Sequence, residues 1–297
     1  MYQRGLGGNF KDQEVNIEDL LNVLSELNQK HQNKLYPFIG SWNVHLSKVA
    51  GKDFEVIKNL KDWIKKQLFK WINVENYDEA FYFKSFGDLS DEIGTSTRVF
   101  SLNYDLCVER ALLKNDVSME LGFGKDRKWE ASRFDKNENC GTDVYLYKLH
   151  GSIDWIRDKN KGHILTQCDT PQENSELIFG TTEKLRSIDP YLFHVHEFRK
   201  YSLQESLRLI VTVGYSFSDE YINGLIGQAI MSKTYAKLLI VNPSLSEATE
   251  IKRIAKLINV YQGKVVLETI TAKEFFTRKM NLEYFEKISG NEDEAPF

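Results

Sequence analysis

From Thr97 onward the chain changes character. Short runs of aliphatic and β-branched residues, at Arg98 to Leu102, Val144 to Leu149, Leu177 to Phe179, Leu207 to Val213, Lys237 to Val241 and Lys264 to Thr269, alternate with stretches of helical periodicity. Continuous apolar runs of this length suit strands buried on both faces, and their alternation with helices suits a parallel sheet covered by crossover helices. The pattern predicts an α/β, Rossmann-like core over residues 96–289, with a mostly parallel sheet and helices on both faces. It also predicts where chemistry sits, because open α/β sheets bind ligands beyond the carboxyl ends of their strands.

Residues 1–95 read instead as a helical leader. Ile17, Leu20, Leu21, Val23, Leu24 and Leu27 recur at helical spacing between Asn16 and Gln29. A second helix is expected from about Asp53 to Val74, with Phe54, Ile57, Leu60, Trp63, Ile64, Leu68 and Trp71 packed into the core and a lysine-rich face in solvent. The polar, glycine-containing stretch from Asn115 to Asp143 reads as an insertion or loop. Residues 290–297 form an acidic tail expected to be disordered.

A length of 297 residues and a hydrophobic content of 41% fit a globular protein with one large core or two modest ones. With 43 acidic against 39 basic residues and a net charge of −4, the chain has no global field to draw it to nucleic acid or anionic lipid. Neither a membrane nor direct nucleic-acid partnership is expected. No apolar run approaches the roughly 20 residues that span a bilayer, and no signal-peptide pattern opens the chain, so the expected compartment is the cytoplasm. Cys107, Cys140 and Cys168 are too few and too widely spaced for a four-cysteine zinc site, and read as reduced thiols. No metal site is expected.

The residues following each expected strand carry the candidate chemistry. After Leu102 come Asn103-Tyr104-Asp105, where either polar side chain caps the next helix or faces a ligand. After Leu149 come His150-Gly151-Ser152, which place an imidazole at a strand terminus as a structural donor or as a base. After Val213 the turn Gly214-Tyr215-Ser216-Phe217-Ser218-Asp219 either is an ordinary strand-to-helix turn with Ser218 or Asp219 as N-cap, or offers backbone N–H groups and hydroxyls to a phosphate or ribose. After Val241 comes Asn242-Pro243-Ser244, where the asparagine suits a ribose or adenine edge and the proline suits a helix start.

Taken in order, FSLNYD at 100–105, YKLHGSIDW at 147–155, VGYSFSD at 213–219 and IVNPS at 240–244 resemble the sirtuin-like NAD-binding domains of prokaryotic antiphage defence proteins. The resemblance covers roughly residues 95 to 250. It implies that NAD is the substrate, that Asn103 positions a water or the nicotinamide ribose, that Asp105 contacts the carboxamide, and that His150 is a general base on a ribose hydroxyl. Gly214, Ser216 and Asn242 would line the adenosine and phosphate half, with Tyr215 and Asp219 of the same turn in the cofactor-binding set.

Two departures from the family shape the expectation. Gly5-Leu6-Gly7-Gly8 follow Met1 with no apolar strand before them, so the family's first strand and phosphate-cradling loop are expected to be missing. The four-cysteine zinc module of protein-deacetylating sirtuins is also missing, which leaves water as the natural acceptor. NAD hydrolysis in antiviral defence is the resulting expectation. The alternatives are a non-catalytic NAD or ADP-ribose sensor and a zinc-independent deacylase or ADP-ribosyltransferase. The resemblance further implies a homo-oligomer working with a separate partner ATPase or sensor, since the chain has no P-loop motif of its own.

Overall fold

In a computed structural model, the chain is described over residues 17–28, 48, 55–135, 141–158, 164–173, 175, 177, 189–244 and 247–290. The expected glycine-rich segment Gly5 to Gly8, Cys140, and Ile178 and Phe179 of one expected strand lie outside the described residues. So does the tail beyond Gly290. The chain divides into two compact units, one of Met1–Val74, Leu102–Asp105 and His150–Tyr191, the other of Glu75–Ser101, Leu106–Leu149 and Leu192–Phe297.

The second unit holds the parallel sheets. Strands β1 (Thr97–Ser101), β2 (Met119–Glu120) and β3 (Val144–Lys148) run parallel in the order β1-β3-β2, and β6 (Leu209–Val213), β7 (Lys237–Val241) and β8 (Val265–Glu268) run parallel in the order β6-β7-β8. Helices α3 (Ser85–Ile93), α4 (Cys107–Lys114), α5 (Tyr191–Ser202), α6 (Glu220–Met231), α7 (Glu247–Leu257), α8 (Ala272–Arg278) and α9 (Leu282–Ser289) alternate with them. Residues of both sheets share one core, in which Val144 and Leu146 of β3 and Leu239 and Val241 of β7 pack with Phe86, Val108, Leu112, Phe275 and Phe276. The runs that form β3 and β7 are therefore buried strands, as their composition predicts, whereas β1 and β6 are largely half-buried.

The stretch from Asn115 to Asp143 is not a plain insertion. It supplies β2 and packs Phe134 against Tyr145 and Tyr147. Glu120 is buried there because its carboxylate accepts from the Leu121 and Gly122 amides, at 3.0 and 2.7 Å, and from the Arg133 guanidinium at 3.0 and 2.7 Å. A two-residue strand leaves no periodicity to read.

In the first unit, α1 (Ile17–Asn28) packs on α2 (Glu55–Ile72), and an antiparallel hairpin joins β4 (Trp155–Asp158) to β5 (Ile164–Gln167). The hairpin falls in a charged stretch that the sequence pattern passes over. Among the described residues, Leu177 forms an isolated antiparallel bridge to Gly151.

The apolar face expected of α2 is only half packed. Ile57 and Ile64 are buried on Leu21 and Leu24, whereas Leu60, Trp63 and Trp71 are 43%, 59% and 69% exposed. The reason is rotation round the helix: at about 3.6 residues per turn Ile57 and Ile64 share the stripe that packs on α1, whereas Trp63 lies roughly a third of a turn away from it.

Candidate functional site

Asn103-Tyr104-Asp105 and His150 come from the exits of neighbouring parallel strands, since β1 pairs with β3 with Ser101 opposite Lys148. Within the first unit their segments are joined directly. The Tyr104 carbonyl accepts the Ile153 amide at 3.1 Å, and the Tyr104 ring lies 6.1 Å from the His150 imidazole between centroids. His150 is buried at 6% exposure, Asp105 is half-buried and Asn103 is exposed. Gly151 holds φ +87, a left-handed conformation in which glycine avoids the Cβ clash, so the chain turns immediately after the imidazole.

The rest of this turn is buried and polar. Ser152 and Asp154 are 0% and 4% exposed, and Asp154 Oδ2 accepts from Gln167 Nε2 at 2.8 Å. The Asp154 carbonyl accepts the Cys168 amide at 2.7 Å, tying the turn to β5. Among the described residues, Ser152 Oγ and Asp154 Oδ1 have no hydrogen-bond partner.

Just upstream, in the second unit, three residues absent from the expected site surround the end of β3. Lys148 Nζ is 3.0 Å from Glu109 Oε1 of α4, with both side chains nearly inaccessible. The Lys148 carbonyl accepts from His194 Nδ1 at 3.0 Å. His194 is wholly buried among Trp129, Phe134 and Tyr147, and burial pushes its pKa down to about 4, so the ring is neutral. A lysine inside the otherwise apolar run VYLYKL was the one sequence signal for this cluster.

The remaining expected residues also lie in the second unit. The Gly214 amide donates to the Val241 carbonyl at 3.0 Å, which brings the turn after β6 beside Asn242 at the end of β7. Gly214 holds φ +64, and a Cβ there would meet nothing within 4 Å. The space over this glycine is open. Ser216 Oγ and Ser218 Oγ are exposed and 2.9 Å apart.

Tyr215 and Asp219 are committed locally. The Tyr215 hydroxyl donates to Asn223 Oδ1 at 2.9 Å, and burial with the adjacent Asp219 charge pushes its pKa well above the ordinary tyrosine range, so it stays a neutral donor. Asp219 is the N-cap of α6, its Oδ1 accepting from the Tyr221 and Ile222 amides at 3.1 and 3.2 Å. That is the capping use its position suggested. Asn242 Oδ1 accepts the Ser244 amide at 3.0 Å in a local turn, and the Asn242 amide donates to the Glu268 carbonyl at 3.0 Å.

Among the described residues, Cys107 and Cys168 form no disulfide. Among the described residues no cluster of His, Cys, Asp and Glu is arranged to hold a metal ion, and no helix is long and apolar enough to cross a membrane.

Comparison with known proteins yields a match between residues 97–261 and a family model described as a SIR2-like domain. No curated protein matches the chain.

Proposed function

Because this chain belongs to the SIR2-like domain family, which includes NAD-dependent enzymes, we propose that it hydrolyses NAD to nicotinamide and ADP-ribose in a prokaryotic antiviral setting. The observation that carries the reading is the junction of the Asn103-Tyr104-Asp105 segment with the His150 turn through the Tyr104 carbonyl and ring. It gathers an amide, a carboxylate and a buried imidazole at strand exits, where α/β folds place chemistry.

The bond between ribose C1′ and the nicotinamide nitrogen breaks first, its electron pair neutralising the pyridinium as nicotinamide leaves. Positive charge develops on the ribose, and water adds to C1′. The proton lost from that water leaves by way of His150, whose imidazole acts as the base on water or a ribose hydroxyl. Asn103 orients the water and ribose, and Asp105 holds the carboxamide of the departing ring. Gly214, Ser216 and Asn242 are assigned to the adenosine and phosphate half, for which the open space over Gly214 leaves room. Asp219 and Tyr215 support that turn from below.

Residues 96–289 form the catalytic core in this reading and residues 1–95 a helical leader. The enzyme acts in the cytoplasm as a homo-oligomer, with an ATPase or sensor on a separate chain. The direct test is chromatography of NAD incubated with the protein, alone and with candidate partners. Equimolar nicotinamide and ADP-ribose are expected; their absence beside an active control would remove the reading.

A second reading, a sensor that binds NAD or ADP-ribose without turnover, is favoured by Asp219. Its carboxylate sits on the N-terminus of α6, where a pyrophosphate would gain most from the helix dipole. Calorimetric binding of either nucleotide without nicotinamide release would establish it.

A further inference from the structure

The last residue of β3 is a lysine with its charge inside the protein. Lys148 is 2% exposed, between Tyr147 at 0% and Leu149 at 2%. Its Nζ meets Glu109 Oε1 at 3.0 Å. Desolvating two charges is expensive, and well-packed apolar side chains of similar volume often serve stability equally well or better. Stability alone is therefore a poor reason for the ion pair.

Its geometry supplies a better one. Glu109 lies in the first turn of α4, which begins just after Asp105, while β3 runs directly into Leu149 and His150. The ion pair thus joins the element leaving one candidate segment to the element entering the other. Lys148 is gripped at two further points. Its carbonyl accepts from His194 Nδ1, and the next amide, of Leu149, donates to the Ser101 carbonyl at 2.8 Å.

We propose that Lys148 and Glu109 are positioning residues: their ion pair sets the register of α4 against β3 and so fixes the strand exits that carry Asn103, Asp105 and His150. The consequence for turnover rests on the hydrolase reading above; the consequence for backbone order does not.

The test uses the full chain with Lys148→Met, Glu109→Leu and both together. Each single change removes one side of the buried ion pair and is expected to destabilise the fold, whereas the double variant regains wild-type denaturant stability. At that matched stability, amides from Leu149 to Ile153 are expected to exchange roughly ten-fold faster than in wild type. Turnover is expected to fall by roughly ten-fold or more with KM changed by less than about two-fold, because positioning is lost while binding groups remain.

A double variant that recovers protection and turnover together with stability would overturn the proposal, since the ion pair would then be merely structural. If that variant does not fold, Lys148→Gln with Glu109→Gln takes its place under the same criteria. Wild-type protein that releases no nicotinamide would sink the hydrolase reading, and the exchange comparison would still decide the positioning role.

Discussion

His194 reaches from α5 to the carbonyl of Lys148, 3.0 Å from its Nδ1, and a carbonyl can only accept, so the proton resides on Nδ1. Burial holds the ring neutral with a pKa of about 4 against an ordinary 6.5. A depressed histidine pKa means that the unfolded chain binds the proton first. The contribution is fully present above pH 6.5 and is lost as pH falls from 6.5 towards 4. At about 1.4 kcal/mol per unit, the loss across that window is of order 3 kcal/mol. Denaturant melts of wild type and His194→Gln between those pH values should converge towards acid; a difference that stays constant with pH would contradict the assignment.

Two glycines of α6 should respond oppositely to the same change. A Cβ at Gly224 meets nothing within 4 Å, so Gly224→Ala should stabilise by about 0.5–1 kcal/mol through helix propensity. A Cβ at Gly227 would overlap the backbone carbonyl of Ile258, and Gly227→Ala should cost about 2 kcal/mol or more. Thermal melts of the two variants check this close approach between α6 and the end of α7.

Asp219 separates capping from ligand contact. Asp219→Ala should lose about 1 kcal/mol with the N-cap, while Asp219→Asn retains the cap. Removing the charge without the cap should also tighten ADP-ribose binding if a phosphate approaches this helix terminus, which calorimetry reads directly. Unchanged affinity in Asp219→Asn would place the phosphates elsewhere.

The alternating core was legible because runs such as Lys237 to Val241 are nearly all apolar, which parallel strands buried on both faces require. Met119–Glu120 and the Trp155–Asp158 hairpin strand were not, being short and charged. In α2 the sequence displays the apolar residues but carries no information on how wide a stripe the partner helix covers, so Trp63 and Trp71 were placed in the core. At the site, the motif residues were visible one by one, whereas the neighbourhood of Tyr104 and His150 depends on β1 pairing with β3, a non-sequential order. Glu109 and Lys148 were invisible as partners for the same reason: their meeting follows from that topology, and neither neighbourhood predicts the other.

The central claim is tested most directly by nicotinamide release from NAD, comparing wild type with Asn103→Ala and His150→Ala under conditions where all three are folded. The account predicts release by wild type and a loss of about a hundred-fold or more in each variant, the scale expected of a positioning amide and a general base. Release that survives either substitution at close to the wild-type rate would contradict it.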